Sequence, residues 1–576
     1  MKKSVLKNSF CCSFFLFCFF QTSFIHGQGT WTPVTALAPH TNGGEMMLLS
    51  DGSIICKTFS GTTDGIGNIW DKLTPNANGS YANGTWSQIA PMNRTRLYFS
   101  SQTLMDGRIY VAGGEYGTGT SRAEIYNPVT NIWTNLPNPG HIFSDANSEI
   151  LPNGTILNAI VEGSLMDNLI YDPQSNTFSN GPSCLGIHNE SAWMKLPDNS
   201  VLMVDRLSTN SERYIPASNQ WIADATVPVN LYDPYGDETG GALLLPNGKA
   251  FFIGSPSNTA IYTPSGTTSP GTWAAGPNVP GGNGATDAPM AMMVDGNVLL
   301  TVAPEPFSPS DIFNSPTSFF VYNYLSNSFI QINAPSGGLT INEPCYTTSM
   351  LDLPDGKVLF ASMDSDRYYV FTPSGAPLTA GKPTIGVITQ TNCDTFNITG
   401  TLFNGISQGA TYGDDWQNYT NFPIVRLTNG PLVYYCRTFN WNSTSVMTGN
   451  APSSASFKLP VGLPPGTYQL YVVANGIAST PVTFIPCFPV GIDADEDLKN
   501  KLAVYPDPAS EKFTIELQGE NFGFIITDIT GKKVMEQNNI INRSEIECSE
   551  MQNGVYFILA KDEQNNCYNK RVVISK

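Results

Sequence analysis

The sequence predicts an all-β protein whose largest part is a seven-bladed β-propeller, followed by a β-sandwich and a second, smaller β-sandwich. Glycine (52) and proline (42) are abundant and only 13% of residues are charged, a composition typical of turn-rich β proteins. We find no convincing long amphipathic pattern that would predict a helix. Seven turn signatures each separate two short apolar runs: Asp51-Gly52, Asp106-Gly107, Asn153-Gly154, Asp198-Asn199, Asn247-Gly248, Asp295-Gly296 and Asp355-Gly356.

The seven turns recur at a nearly constant spacing. Measured between their second residues, the intervals are 55, 47, 45, 49, 48 and 60 residues. Asp-Gly and Asn-Gly favour tight hairpins because both central residues must adopt positive φ. A period of about 50 residues is typical of four-stranded blades arranged radially. We therefore expect a closed ring of blades with its functional site around the central channel.

The outer strands of the repeats carry a second recurring pattern. A tyrosine ends one strand, Pro or Asn residues follow in a turn, and a large ring begins the next strand, as in Tyr126, Asn131 and Trp133. The last repeat ends at Phe371-Thr372-Pro373 without such a following strand. A strand at Trp31-Thr32-Pro33 is predicted to complete the seventh blade, which removes an exposed sheet edge.

Composition shifts divide the chain into five predicted segments. Residues 1–27 read as a secretory signal peptide, because lysines precede an apolar run and Gly27 offers a cleavage point, so the mature protein is expected to have no transmembrane span. The propeller is predicted at 28–378, an immunoglobulin-like sandwich of short alternating strands at 382–486, a linker at 487–499 and a last domain at 500–576. A formal net charge of −18 argues against nucleic acid as a partner.

The Gly113-Gly114 pair and the aromatic strand ends resemble the kelch repeat, and a seven-bladed ring followed by a sandwich resembles galactose oxidase. That resemblance implies copper held by a Tyr-His pair and by a histidine of the sandwich, with a Cys-crosslinked tyrosine. Tyr346 stands at the tyrosine position, but Thr347 replaces the histidine, and neither the stretch 409–415 nor the stretch 98–101 holds the expected His or Cys. We therefore expect no copper and no oxidase chemistry of this type.

The last domain resembles the C-terminal sorting domain of the type IX secretion system of Bacteroidota. The residues that carry the resemblance are Tyr505, Pro506, Pro508, Gly531, Lys532, Gly554 and Tyr556. The resemblance implies the type IX secretion machinery as a partner. It also implies a protein that is secreted, extracellular or attached to the outer-membrane surface.

Side chains that precede the innermost strands are predicted to line one mouth of the channel, because odd offsets from each turn share one face of a strand. They are Arg96, Tyr98, Asp145, His188, Glu190, Asp237, Asp287 and Glu343. Tyr346, which the galactose oxidase resemblance places at the hub, is predicted to join them. This mainly acidic ring would suit an extracellular glycan or another small ligand. We expect no cofactor, and Ca²⁺ is the ion that such carboxylates would suit.

The sequence therefore favours a secreted or surface-attached binding protein to which no catalytic residue is assigned. Three alternatives stay open: an extracellular hydrolase or lyase that uses the channel carboxylates on glycans, an atypical oxidase, and a structural surface adhesin. The acidic ring also has a simpler interpretation as solvated loop carboxylates. Export favours one or two disulfides, and the candidate pairs are Cys393 with Cys436 and Cys548 with Cys567.

Overall fold

The structure is a computed structural model that describes residues 29–41, 44–143, 147–162, 167–363, 365–408, 420–486, 501–529, 531–563 and 567–576. The predicted signal peptide and linker lie outside the described residues. Regular structure in the described part is strand, apart from two single-turn 3₁₀ helices at Cys345–Thr347 and Thr379–Gly381. The all-β class predicted from composition and turn spacing is confirmed.

Short strands account for the first part of the chain. They begin with β1 (Thr30–Pro33), β2 (Met46–Leu48), β3 (Ile54–Lys57), β4 (Trp70–Thr74), β5 (Thr85–Gln88), β6 (Arg96–Leu97), β7 (Ser100–Thr103), β8 (Ile109–Ala112), β9 (Tyr116–Gly117), β10 (Ala123–Asn127), β11 (Ile132–Asn135), β12 (Ser148–Ile150), β13 (Ile156–Ala159), β14 (Asn168–Asp172), β15 (Thr177–Asn180) and β16 (Trp193–Lys195). They continue with β17 (Val201–Val204), β18 (Ser211–Ile215), β19 (Gln220–Ala223), β20 (Ala242–Leu244), β21 (Ala250–Ile253), β22 (Thr259–Thr263), β23 (Thr272–Ala275), β24 (Asn283–Gly284), β25 (Met290–Met292), β26 (Val298–Pro304), β27 (Thr317–Asn323), β28 (Ser328–Ile332), β29 (Thr340–Ile341), β30 (Thr348–Asp352), β31 (Val358–Ser362) and β32 (Tyr369–Thr372).

Strands β6 and β9 pair as a separate two-stranded sheet, and the others form seven antiparallel sheets, which we call blades 1 to 7. Blade 1 is β2 to β5, blade 2 is β7, β8, β10 and β11, and blades 3, 4 and 5 are β12 to β15, β16 to β19 and β20 to β23. Blade 6 is built on β25 to β28, with β24 and β29 added, and blade 7 is β30, β31, β32 and β1. Thr30 to Pro33 pair antiparallel with Tyr369 to Thr372, so the predicted closing strand is confirmed.

Contacts between the first strands of the blades arrange the sheets in a ring. Strand β7 contacts β12, and the series continues through β16, β20, β25 and β30 back to β2. Blades 1 and 2 meet through Trp70 and Trp133, whose rings stack with centroids 5.8 Å apart. The apolar core therefore lies between neighbouring blades, and the ends of the first strands surround a central hub.

The recurring tyrosine pattern has a structural reason. In blades 2, 3, 4 and 6 the tyrosine hydroxyl donates a hydrogen bond of 2.8 to 3.0 Å to an asparagine side chain five residues later, as Tyr126 does to Asn131. These asparagines have φ between 51° and 55°, a left-handed conformation that Asn tolerates better than most residues. The pattern therefore fixes the turn that leads into each outer strand.

A sandwich of eight strands follows the ring: β33 (Thr384–Asn392), β34 (Thr395–Thr401), β35 (Ile424–Asn429), β36 (Leu432–Phe439), β37 (Pro452–Lys458), β38 (Tyr468–Ala474), β39 (Ile477–Ala478) and β40 (Val482–Phe484). Strand β36 pairs with β35 up to Cys436 and with β37 from Arg437, so it passes from one sheet to the other. The buried rings of Phe396 and Phe457 stack between the sheets with centroids 5.2 Å apart.

The sandwich covers the end of the ring that carries the hairpin turns. The backbone N–H of Thr438 donates to the carbonyl of Ser50 (3.1 Å), and that of Val433 donates to Ala77 (2.8 Å). Gly52 has φ of 77°, and a Cβ there would collide with the ring of Tyr435. Glycine at this turn therefore serves both the hairpin and the close approach of the sandwich. The opposite end of the hub carries the loops that enter the first strands.

The C-terminal domain is a separate five-stranded sheet. Its strands are β41 (Leu502–Tyr505), β42 (Lys512–Thr527), β43 (Lys533–Glu547), β44 (Gly554–Asp562) and β45 (Cys567–Ile574). Phe513, Ile515 and Phe524 of the long strand β42 lie in its own apolar core.

The expected disulfide pairs are wrong. Cys393 and Cys436 form no disulfide with each other, and Cys548 is a buried thiol without a disulfide. Cys436 is fully buried in the core of the sandwich, whereas Cys393 lies half-buried in the turn between β33 and β34. The spacing of cysteines along the chain does not show which of their side chains point into the core.

Candidate functional site

The loops that enter the first strands gather several of the predicted residues at the open end of the hub. Tyr98, Glu190, Asp237 and Asp287 lie two to five residues before the first strands of blades 2, 4, 5 and 6, and all four have positive φ, between 50° and 62°. Non-glycine residues seldom adopt this conformation, and such residues cluster at ligand sites. Asp145, the predicted member from blade 3, lies outside the described residues. We call this set of loops the mouth.

Hydrogen bonds connect the mouth loops of neighbouring blades. The Thr239 hydroxyl donates to the carbonyl of Glu190 (2.6 Å), and the backbone N–H of Asp287 donates to the carbonyl of Thr239 (3.2 Å). The Cys345 thiol then donates to the carbonyl of Thr286 (3.2 Å). Blades 4, 5, 6 and 7 therefore present their loops as one connected arc.

Three carboxylates meet on this arc. Oxygen atoms of Glu190, Glu238 and Asp287 all lie within 4.8 Å of one another, and the three residues are half-buried. The sequence identified Glu190 and Asp287, but in blade 5 it selected Asp237, whereas the neighbouring Glu238 joins the group. Three carboxylates this close favour a bound cation, shared protons or a ligand rich in hydrogen-bond donors.

A pair of aromatic rings lies on loops that contact the acidic loop of blade 5 or follow it around the ring. Tyr346 packs against Phe313 with ring centroids 4.9 Å apart. The adjacent Ile312 packs over Gly236, which precedes Asp237 and Glu238, so the loop that carries Phe313 reaches from blade 6 toward the acidic group. Phe313 is 42% exposed, which leaves an apolar surface open on this loop.

A second aromatic group lies where blades 7, 1 and 2 meet. Tyr98 packs against Tyr116 with centroids 6.1 Å apart, and its hydroxyl lies 4.0 Å from the Met363 sulfur. The backbone N–H of Met363 donates to the carbonyl of Thr347 (2.8 Å), which connects this group to Tyr346. The predicted Glu343 also lies here, and its carboxylate accepts a hydrogen bond from the Ser362 hydroxyl.

Two predicted residues are not at the surface of the mouth. Arg96 is fully buried, with its guanidinium 3.1 Å from Glu124 and hydrogen-bonded to the carbonyls of Gly113, Gly119 and Arg122. It therefore fixes the loop that carries Tyr116. His188 is 3% exposed, and its Nδ1 accepts a hydrogen bond from the Trp193 indole (3.2 Å). Sequence offsets gave the correct end of the strand for both residues but not the direction of the side chain.

The hub is closed on the sandwich side by a buried polar network that the sequence did not reveal. The Lys195 ammonium of blade 4 lies 2.9 Å from the Glu149 carboxylate of blade 3. The Gln408 side-chain amide of the sandwich donates to the other Glu149 oxygen (2.8 Å), and Asn421 donates to Gln408 (2.7 Å). Burial raises the pKa of Glu149, while Lys195 favours its charged form. The partners lie far apart in sequence, so no local motif predicts them.

The residues at the mouth do not fit the copper centre implied by the galactose oxidase resemblance. Thr347 is buried, and its hydroxyl donates to the carbonyl of Pro344 (2.8 Å). The three described histidines are engaged elsewhere: His40 with Asp71, His141 with Glu162, and His188 with Trp193. The sandwich stretch 409–415 lies outside the described residues, and its sequence contains no histidine.

Comparisons with known proteins match two parts of the chain. Residues 503–575 match the secretion system C-terminal sorting domain, and residues 101–140 match the kelch motif. A putative F-box/kelch-repeat protein of Arabidopsis thaliana is 27% identical over 156 residues, which are 26% of this chain and 34% of the relative. A galactose oxidase of Gibberella zeae is 38% identical over 56 residues, 9% of this chain and 8% of the oxidase. The chain spans about a third or less of the length of the first curated relatives.

A fungal alcohol oxidase of the AA5 family, solved with copper, has a similar fold. The TM-score is 0.50 at 15% sequence identity, over 80% of this chain and 99% of the oxidase. The chain thus carries a kelch motif and a type IX secretion sorting domain, and its propeller fold is similar to that of galactose oxidase-like proteins. The sorting domain marks it for export to the cell surface or the extracellular space and implies contact with the secretion machinery. No helix among the described residues is long and apolar enough to span a membrane.

Proposed function

We propose that this exported propeller binds an extracellular glycan at the mouth, without the copper radical chemistry of the oxidases it resembles. The observation that carries the proposal is the arrangement of Glu190, Glu238 and Asp287 within 4.8 Å of one another, on loops held together by hydrogen bonds between blades. The exposed ring of Phe313 packs against the half-buried ring of Tyr346, on a loop whose Ile312 contacts Gly236, two residues before Glu238.

The chemistry of the mouth supports a carbohydrate better than a charged polymer. Carboxylate oxygens accept hydrogen bonds from sugar hydroxyls, and an aromatic face packs against the apolar C–H face of a sugar ring. A few polar groups beside apolar surface is the usual composition of a small-ligand site. The net charge of −18 opposes anionic ligands such as nucleic acid.

The direct test is a glycan array probed with the secreted protein, followed by titration of the strongest glycan. The variant Glu190→Gln/Glu238→Gln/Asp287→Asn keeps side-chain size and removes three charges. We expect its affinity to fall at least 10-fold, because each lost charged hydrogen bond contributes roughly 1 kcal/mol or more. The matched control Asp106→Asn/Asp172→Asn/Asp394→Asn removes three carboxylates elsewhere and should bind like the wild type.

Other outcomes separate the alternatives. Equal binding by the mouth variant and the control would place the glycan elsewhere and overturn the proposal. Release of cleaved sugar from the bound glycan would make the protein an enzyme, and peroxide formation with a stoichiometric metal would restore the oxidase interpretation. Repeating the titration with and without Ca²⁺ shows whether an ion shares the three carboxylates with the ligand.

A further inference from the structure

A second group of ligand-type side chains lies inside blade 4, apart from the mouth carboxylates. The loop before β16 supplies Cys184 and His188, and β18 supplies Glu212. Their potential ligand atoms all lie within 4.8 Å of one another. The three residues are 4%, 3% and 3% exposed, so the group is enclosed by the protein.

The loop is wrapped around the carboxylate. The two Glu212 oxygens accept hydrogen bonds from the backbone N–H groups of Leu185 and Gly186, each 2.8 Å long. The Cys184 thiol lies 3.1 Å from the carbonyl of Gly186. The Cys184 thiol and the Glu212 carboxylate are therefore brought together by the same turn of the loop, which limits how far either can move.

The imidazole is approached by donors on both ring nitrogens. Trp193 Nε1–H donates to His188 Nδ1 (3.2 Å), and the Asn168 Nδ2 amide lies 3.4 Å from His188 Nε2. The Asn168 orientation is fixed because its Oδ1 accepts from the Trp221 indole (2.7 Å). A neutral imidazole has one acceptor nitrogen, so neither tautomer satisfies both contacts.

The chemistry of the three side chains suits a divalent cation, since a thiolate and a carboxylate carry one negative charge each and a neutral imidazole offers a lone pair. A divalent ion that replaces the thiol and carboxyl protons leaves the enclosed site without net charge. Metal ligation of this kind releases protons and lowers the cost of burying two anions.

We propose that Cys184, His188 and Glu212 bind one zinc ion. Thiolate, imidazole and carboxylate are the three ligand types of protein zinc sites, and three protein ligands leave a fourth position for water. A cavity of about 280 Å³ lined by Leu185, Gly186, Asp205 and Glu212 adjoins the Glu212 side of the group, and we expect it to supply that water. On binding, zinc exchanges water ligands for sulfur, nitrogen and oxygen, and the displaced protons pass to solvent.

Metal binding at one nitrogen of the His188 ring leaves the ring proton on the other, so neither the Trp193 N–H nor the Asn168 amide keeps its acceptor. The Trp193 indole must give up this hydrogen bond, a small loss beside the formation of three metal bonds. Zinc should therefore change the tryptophan fluorescence of the intact protein. The site is independent of the glycan proposal, since none of its ligands lies at the mouth surface.

The test measures zinc per chain after dialysis of the purified protein, together with the spectrum of the cobalt-loaded form. We expect one zinc per chain and a thiolate-to-cobalt absorption in the wild type, and a loss of both in Cys184→Ser. The control Cys345→Ser alters another buried thiol and should keep the metal, as should the triple mouth variant.

Two results would overturn the zinc site. One is stoichiometric zinc that persists in folded Cys184→Ser. The other is wild-type protein that takes up neither zinc nor cobalt at micromolar concentration. If Cys184→Ser does not fold, the wild type alone decides, because zinc at Cys184 must slow alkylation of that thiol and produce the thiolate-to-cobalt absorption.

Discussion

Replacement of Lys195 by methionine tests how the hub is held together. Lys195 and Glu149 are both fully buried, with 2.9 Å between ammonium and carboxylate, and Lys195 also donates to the carbonyl of Ile150 (2.9 Å). Lys195→Met leaves the Glu149 carboxylate with neutral donors, the Gln408 side-chain amide and the Ile150 backbone N–H, and removes its cationic partner. Removing one partner of a buried pair costs about 3 to 5 kcal/mol of stability, because the other charge stays desolvated.

The stability lost in Lys195→Met should depend on pH. Burial raises the pKa of Glu149, and without Lys195 this shift increases. A carboxyl whose folded-state pKa is raised stabilises the fold at low pH and loses that contribution as pH rises. The destabilisation by Lys195→Met should therefore be smaller at pH 5 than at pH 8.

The assay is denaturant unfolding followed by tryptophan fluorescence, with a matched control and a double variant. Lys458→Met removes a similar pair with Asp394, 3.0 Å apart, but both side chains are nearly half exposed, so its effect should stay within about 1 kcal/mol. Lys195→Met/Glu149→Gln removes both charges and should recover part of the loss. The buried pair would not stabilise the hub as proposed if Lys195→Met and Lys458→Met lowered the free energy of unfolding equally, or if the double variant were no more stable than Lys195→Met.

Three further outcomes follow from other contacts. Trp31→Ala removes the ring that packs against Phe319, Phe360 and Phe371, with centroids 4.8 to 5.6 Å away, and should lower stability by about 3 kcal/mol and speed proteolysis near residue 30. Arg96→Met leaves Glu124 buried without its guanidinium, so we expect a loss of about 3 kcal/mol or more by unfolding and weaker glycan binding through the Tyr116 loop. Burial raises the pKa of Asp352 to about 8, so its carboxyl stabilises the fold while protonated and loses that contribution as pH rises. Between pH 5 and pH 9 the free energy of unfolding of the wild type should fall by up to about 4 kcal/mol more than that of Asp352→Asn. Equal pH profiles of unfolding for the two proteins would contradict this.

The fold could be predicted from the sequence because the patterns that specify it are local. Asp-Gly and Asn-Gly turns require particular backbone angles, and the Tyr126–Asn131 pattern repeats one hydrogen bond in four blades. The closing strand at Trp31 could be inferred from the strand missing after Phe371. The disulfide pairing failed because spacing between cysteines does not show which side chains point into a core.

The candidate site could be predicted from the sequence only in part, because local patterns do not show the direction of a side chain. Offsets from each turn locate the entry to a first strand, so Tyr98, Glu190 and Asp287 were found together with their loops. They do not give the direction of a side chain, and Arg96 and His188 turn inward to buried partners. Two buried groups depend on contacts between distant parts of the chain, which no local pattern encodes. One is the polar network of Glu149, Lys195 and Gln408, and the other is the group of Cys184, His188 and Glu212.

Hydrogen exchange of the intact protein, with and without the glycan selected on the array, shows where the glycan binds. We expect slower exchange in the mouth loops near residues 98, 190, 238, 287 and 346, with the sandwich and the sorting domain unchanged. Protection confined to the sandwich or to the outer strands of the blades would contradict a binding site at the mouth.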